Sequence, residues 1–273
     1  MLSASTARLV KDAAILAEPE MVHIKGVSEP VHAHRLLTTT GGQHRRSDPR
    51  LVGRTWELNT ISGLLDEAIG GAGCVIGVLG PPGIGKSRIV REAAAMASDR
   101  GVDVFTTFCE AHTADIPFHA VTGLMRAGLG VAGLDSEAAR EQLRTRFPDA
   151  NVDDLLLLHD LLGITDPEIE VPNVEGDARR RRLTALVNAT SMARTTPALY
   201  VIEDVHWIDE VSDSMLADFM AVIRQTRSMV LITYRPEYHG ALATIPGAQT
   251  IALRPLNTTQ TEALLGELLG SDS

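Results

Sequence analysis

The stretch Gly80-Pro81-Pro82-Gly83-Ile84-Gly85-Lys86-Ser87, "GPPGIGKS", decides the fold. It follows the apolar run "CVIGVL" (74–79) and precedes "RIVREAAAMA" (88–97). A short apolar run bounded by Gly and Pro reads as a buried strand, and the periodic segment after it reads as a helix over about 86–98. Gly80-x-x-x-x-Gly85-Lys86-Ser87 has P-loop spacing, and it stands in the strand–loop–helix setting which that motif requires. Gly80, Gly83 and Gly85 let the backbone curl around a bulky anion without Cβ obstruction. Pro81 and Pro82 stiffen the loop, and Ile84 completes it. Successive N–H groups form a nest for phosphate oxygens, and the positive end of the helix, from Lys86 to Arg88, adds to it. The Lys86 ammonium reaches β- and γ-phosphates, and the Ser87 hydroxyl ligates Mg²⁺. ATP with Mg²⁺ is therefore the expected ligand.

A P-loop needs an acidic partner. "LYVIEDVHWID" (199–209) carries Glu203 and Asp204 at the C-terminal end of an apolar strand, where ligands of open parallel sheets sit. One carboxylate would hold Mg²⁺, and the other would orient the attacking water. Asp209 can serve the site or cap a helix over 210–225, and capping is the reading taken. "VLITYRPE" (230–237) supplies a third element. If its strand lies beside the acidic one, Thr233 and Arg235 approach the γ-phosphate, which a planar guanidinium suits.

Outward from these motifs, strands at 74–79, 102–108, 198–204, 229–234 and 249–253 alternate with helical patterns, the longest of them spanning 117–194. The expectation is an α/β P-loop NTPase, a parallel sheet flanked by helices. Upstream, residues 3–17 read as a helix capped by Ser3 or Ser5. "MVHIKGVSEPVHAHRLL" (21–37) reads as two strands around a turn, and 38–50 as a linker.

The 273 residues are 44% hydrophobic, which is enough for a sizeable core, and 22% charged, which excludes a disordered composition. The net charge of −10 disfavours general polyanion binding, so direct contact with nucleic acid is not expected. Cys74 and Cys109, the two cysteines, lack metal-ligand spacing and read as small core residues. No apolar run approaches a membrane span, and no secretory signal opens the chain, so a soluble cytoplasmic protein is expected. His32 and His34 share a strand face but have no third ligand in view, and they read as surface imidazoles. Arg179–Arg182 open a helix and read as a solvated face rather than a nucleic-acid patch.

"LVGRTWEL" (51–58), "GPPGIGKS", "LYVIEDVHWID" and "LITYRPE" occur in an order that resembles one family over about residues 51–265. That family is the ATPase module of the signal-transduction ATPases with numerous domains. It is an AAA+-like branch of P-loop proteins in large bacterial transcriptional regulators. The resemblance implies that Val52, Gly53 and Arg54 lie against adenine or ribose. It implies that Glu203 takes the Mg²⁺-directed acidic position, where the family commonly has Asp, and that Asp204 takes the hydrolysis position. Lys86, Asp204 and Arg235 then carry catalysis, and Ser87, Glu203 and Asp204 the metal. His206 and Trp207 belong to the motif as packing residues. The resemblance also implies a nucleotide-dependent switch with an unknown protein partner or self-association. The alternatives are a DNA-binding regulator without its DNA-binding domain and an inactive fragment.

Residues 253–273 resemble the start of a helical lid, cut short at Ser273. Residues 1–37 resemble the end of a class III nucleotide cyclase domain, without its metal-binding aspartates. The organisation expected is thus a remnant (1–37), a linker (38–50), an ATPase core (51–252) and a truncated lid (253–273).

Overall fold

The computed structural model describes residues 2–10, 14–22, 31–39, 51–148, 150–164, 172, 174 and 176–269. It divides into two units, residues 1–50 with 262–273, and residues 51–261.

In the N-terminal part, β1 (Leu2–Ser3), α1 (Ala4–Leu9), β2 (Ala14–Leu16), β3 (Glu20–Val22), β4 (Val31–His34) and β5 (Leu36–Thr39) follow one another. Ser3 caps α1, its hydroxyl accepting from the Thr6 N–H at 3.2 Å. The helix predicted over 3–17 ends at Leu9. Residues 14–16 instead pair antiparallel with β5, where a ladder satisfies their backbone groups. β4 pairs antiparallel with both β1 and β3. The turn expected near Gly26 lies outside the described residues. So does most of the expected linker, whose first residues, Thr38 and Thr39, close β5. His34 Nδ1 lies 3.1 Å from the Ala17 carbonyl, and His32 is exposed.

The larger unit is a three-layer α/β structure. Its elements are α2 (Thr55–Ile69), β6 (Cys74–Leu79), α3 (Lys86–Asp99), β7 (Asp103–Phe108), α4 (His119–Gly128), α5 (Ser136–Arg146), α6 (Val152–Leu161), α7 (Gly176–Met192), β8 (Ala198–Glu203), α8 (Glu210–Ile223), β9 (Ser228–Tyr234) and β10 (Gln249–Ala252). Helix α9 (Thr258–Leu269) begins in this unit. The five strands are all parallel, in the order β10-β6-β9-β8-β7. Successive strand residues alternate faces. Ile76, Val78, Leu199, Val201, Met229 and Leu231 pack with residues of α2 and α3. Val75, Tyr200, Ile202, Val230 and Ile232 pack with residues of α4 to α8. Both faces are covered, so these strands read as unbroken apolar runs. Gly77 sits where a Cβ would lie 2.8 Å from the Tyr234 ring, so only glycine lets that ring cross β6.

The arginine run is absorbed by this packing. Arg179 pairs with Asp160, Arg180 with Asp218 at 3.5 Å, and Arg182 with Asp154 at 2.6 Å. These pairs tie α7 to α6 and α8. Cys109 is buried and Cys74 partly so, and burial pushes their thiols up to about 12 and about 11. That keeps them protonated and inert. Among the described residues no helix is long and apolar enough to cross a membrane.

Candidate nucleotide site

The strand order explains how distant motifs meet. β9 lies between β6 and β8, in register Leu79↔Tyr234 and Ile202↔Ile232. The C-terminal ends of these three strands therefore carry the 80–87 loop, Arg235 and the acidic pair side by side. The Gly80 N–H donates to the Tyr234 carbonyl at 3.2 Å, which fixes the loop's start to the end of β9.

The loop is shaped for an anion. Gly83 and Gly85 have φ of +75° and +103°, which side-chain-bearing residues rarely adopt, and open space faces both. Gly80 has a different reason, since a Cβ there would lie 2.7 Å from Ile84 Cγ2. Gly85 is the N-cap of α3 and offers no side-chain acceptor, so the Lys86 and Ser87 N–H groups remain available to a ligand, whereas that of Arg88 donates to the Gly85 carbonyl at 3.2 Å. Lys86 is 7% exposed, and its ammonium donates to the Gly80 and Pro81 carbonyls at 2.9 and 3.1 Å. Burial lowers its pKa, and the Asp204 carboxylate works against that shift. Gly83, Gly85, Lys86, Ser87, Asp204 and Arg235 all line one open cavity of about 330 Å³.

Glu203 is 5% exposed, and the exposed Ser87 side chain lies near it. Burial raises its carboxyl above the usual glutamate range, and the nearby Ser87 hydroxyl counters part of this. A hydroxyl and a carboxylate so placed are hard oxygen donors of the kind Mg²⁺ takes. Among the described residues no group of three His, Cys, Asp or Glu could hold a metal. A cation here would therefore complete its shell from phosphate and water, the usual habit of Mg²⁺. The residues present thus fit Mg²⁺ bound together with a nucleotide.

Asp204 occupies the left-handed region (φ 56°, ψ 44°), and its side chain is 43% exposed toward the cavity. Its N–H donates to Thr233 Oγ1 at 2.9 Å. Arg235 stands 6.0 Å from the centre of the Trp207 ring, and its Nε is buried without a partner. Asp209 caps α8: its Oδ1 accepts from the Ser212 N–H at 2.8 Å and also from the Phe118 N–H at 3.0 Å.

Two expected contact residues are placed differently from the rest. Arg54 is 6% exposed, and its guanidinium donates to Glu57 Oε1 at 3.0 Å and to the Ile84 carbonyl at 3.1 Å. It therefore braces the loop through the Ile84 carbonyl. Gly53 (φ +71°) is covered by the Gln260 side chain, 2.6 Å from where a Cβ would sit. Val52 is half-buried. Arg88 lines the cavity but also pairs with Glu92 at 2.6 Å, one turn along α3. Sequence reasoning missed the Arg54–Ile84 strut and Gln260, whose partners lie far away along the chain.

A family model described as AAA ATPase domain matches residues 50–232. A curated relative, an uncharacterized protein of Rhizobium meliloti (strain 1021), is 29% identical over 249 residues. That match covers 87% of this chain and 24% of the relative, so the chain spans about a quarter of its length. Among solved structures, the Aeropyrum pernix ORC1 protein in complex with DNA is similar, with a TM-score of 0.43 at 14% identity. This covers 82% of the chain and 50% of that protein. Drosophila ORC bound to DNA gives a TM-score of 0.48 at 14% identity, covering 81% and 47%.

Proposed function

Since the chain belongs to the AAA ATPase domain family, we propose that residues 51–252 bind ATP with Mg²⁺ and hydrolyse it slowly. The nucleotide state then acts as a switch in signalling or transcriptional regulation. One observation carries the reading: the 80–87 loop, whose Gly83 and Gly85 face open space, carries Lys86 and an exposed Ser87 into one cavity with Asp204 and Arg235, beside the buried Glu203.

The residues take the following parts. The loop from Gly80 to Ser87 cradles the phosphates, and Arg88 extends the basic rim. Lys86 exchanges its two carbonyl partners for phosphate oxygens. Ser87 and Glu203 hold Mg²⁺, whose chemistry there is to neutralise charge on the phosphates. Asp204 orients and polarises water from the opposite wall. Arg235, at the end of β9, supplies a guanidinium for charge that develops on the γ-phosphate. Val52 and Gly53 border the base side, and Arg54 braces the loop through the Ile84 carbonyl. Residues 253–269 form the start of a lid, and residues 1–37 are cyclase-like. The module works in the cytoplasm with a protein partner or a second copy. Direct nucleic-acid binding is not part of this reading, because three of the four arginines in 179–182 face carboxylates.

Calorimetric titration with ATP, with and without Mg²⁺, tests the reading. Lys86→Ala should weaken binding by about 1.5–3 kcal/mol, roughly ten- to hundredfold. Equal affinity in wild type and variant would refute the site.

A further inference from the structure

His206 follows the acidic pair, and its surroundings are those of more than a packing residue. Its side chain is 9% exposed, yet neither ring nitrogen has a hydrogen-bond partner. Nδ1 lies 3.8 Å from Asp204 Oδ1, about an ångström too long for a bond. The ring stacks beside Trp207, with centroids 5.2 Å apart, and on Trp207 rests Arg235, whose Nε is also orphaned. Either nitrogen of an imidazole can donate or accept a hydrogen bond, depending on the tautomer. Here both stand idle beside Asp204, the residue that faces the cavity.

Buried polar groups are almost always paired, and an exception calls for an explanation. Asp204 is also in a strained left-handed conformation. Strain and missing hydrogen bonds at adjacent residues persist when another state of the site resolves them. Resting on the proposed ATPase reading, we infer that His206 is a positioning residue for hydrolysis. In the nucleotide-bound state its Nδ1–H donates to Asp204 Oδ1, turning the other carboxylate oxygen toward the attacking water. Only the carboxylate has to move, by about an ångström. Its 43% exposed side chain has room to do so, and Thr233 already holds its backbone. The bond forms when phosphate draws Lys86 and Arg235 toward itself and Asp204 turns with them. His206 therefore acts on turnover and leaves ground-state nucleotide binding unchanged.

Two variants separate positioning from packing. His206→Phe keeps the ring and its stacking on Trp207 but removes both nitrogens. His206→Asn loses the ring but places an amide N–H near the position of Nδ1. Both are compared with wild type for ATP affinity by titration and for kcat by phosphate release, on the full chain. The expected result is a fall in kcat of about tenfold or more for His206→Phe, with affinity within about twofold. His206→Asn should recover most of the kcat. A packing role predicts the reverse order. Wild-type turnover in His206→Phe, an equal loss of affinity and kcat, or a slower His206→Asn than His206→Phe would each overturn the inference. Wild-type protein that binds ATP without hydrolysing it would also overturn the inference but leave the binding reading intact. Wild-type protein that binds no ATP fails the parent reading before any variant is made.

Discussion

The backbone N–H of Asp204 donates to Thr233 Oγ1 at 2.9 Å, joining the end of β8 to the end of β9. Thr233 is fully buried, and the bond holds Asp204 in a conformation few non-glycine residues adopt. Thr233→Val keeps the shape but leaves that N–H without its acceptor, at a cost of about 1–3 kcal/mol. Thermal or urea denaturation should show this loss, and Thr233→Ser should restore most of it. Turnover should fall further than nucleotide affinity in the valine variant, because the carboxylate loses its anchor.

Asp204→Asn should separate binding from chemistry. Asn tolerates the left-handed region as Asp does, so the fold should be unaffected. The uncharged amide no longer polarises water, a step demanded only in the transition state. Phosphate release should drop by at least about a hundredfold, as for loss of a general base, with ATP affinity little changed. Normal turnover would remove Asp204 from the mechanism.

Arg54→Ala should act on the loop from a distance. Removing one partner of a buried pair leaves Glu57 uncompensated, and the Ile84 carbonyl loses its donor. Such a change costs about 3–5 kcal/mol. A lower melting temperature should accompany weaker ATP binding. Arg54→Lys should recover little of either, because a single ammonium cannot serve two acceptors in the same fork geometry.

Glu203→Gln offers a pH test. Burial raises the folded-state pKa of Glu203, so the native state holds this proton more tightly than the unfolded chain does. Between the two values the native state binds more protons, and this group's contribution to stability falls as pH rises. The nucleotide-free glutamine variant should therefore gain on wild type through that window and keep its advantage above it. Melting curves of both proteins from pH 4 upward would show the gap widen and then level. A gap that narrows with rising pH would mean that partners, rather than burial, dominate at Glu203. In the presence of Mg²⁺ the variant should lose the metal dependence of ATP binding.

Legibility in the sequence followed distance along the chain. The loop at 80–87, the flanking strand and helix, and the Asp209 cap are local, and each could be read from a few neighbouring residues. The apolar runs of β6, β8 and β9 are visible because both faces of the inner sheet are covered. The contact of Arg54 with Ile84 joins residues 30 apart along the chain, and no local pattern marks such a strut. The pairing of residues 14–16 with β5 is likewise non-local, so the local pattern alone extends the N-terminal helix beyond Leu9. His206 read as packing because its empty hydrogen-bonding capacity is a property of the folded surroundings. The adjacency of β9 to the acidic strand could only be posed as a condition, and the observed register meets it.

Strand β6 ends in the phosphate loop, yet both of its neighbours, β9 and β10, are encoded after it. During synthesis that strand leaves the ribosome with apolar faces and two open edges. It stays unpaired until residues 228–234 follow. Helices α4 to α7 are local structures and can form in the interval, whereas the central sheet cannot close. Such waiting edges invite wrong partners. The arrival of β9 therefore ends the aggregation-prone stage and, in the same step, brings the loop and the acidic strand end together. Protein interrupted before Ser228 would carry both sequence motifs and have no site.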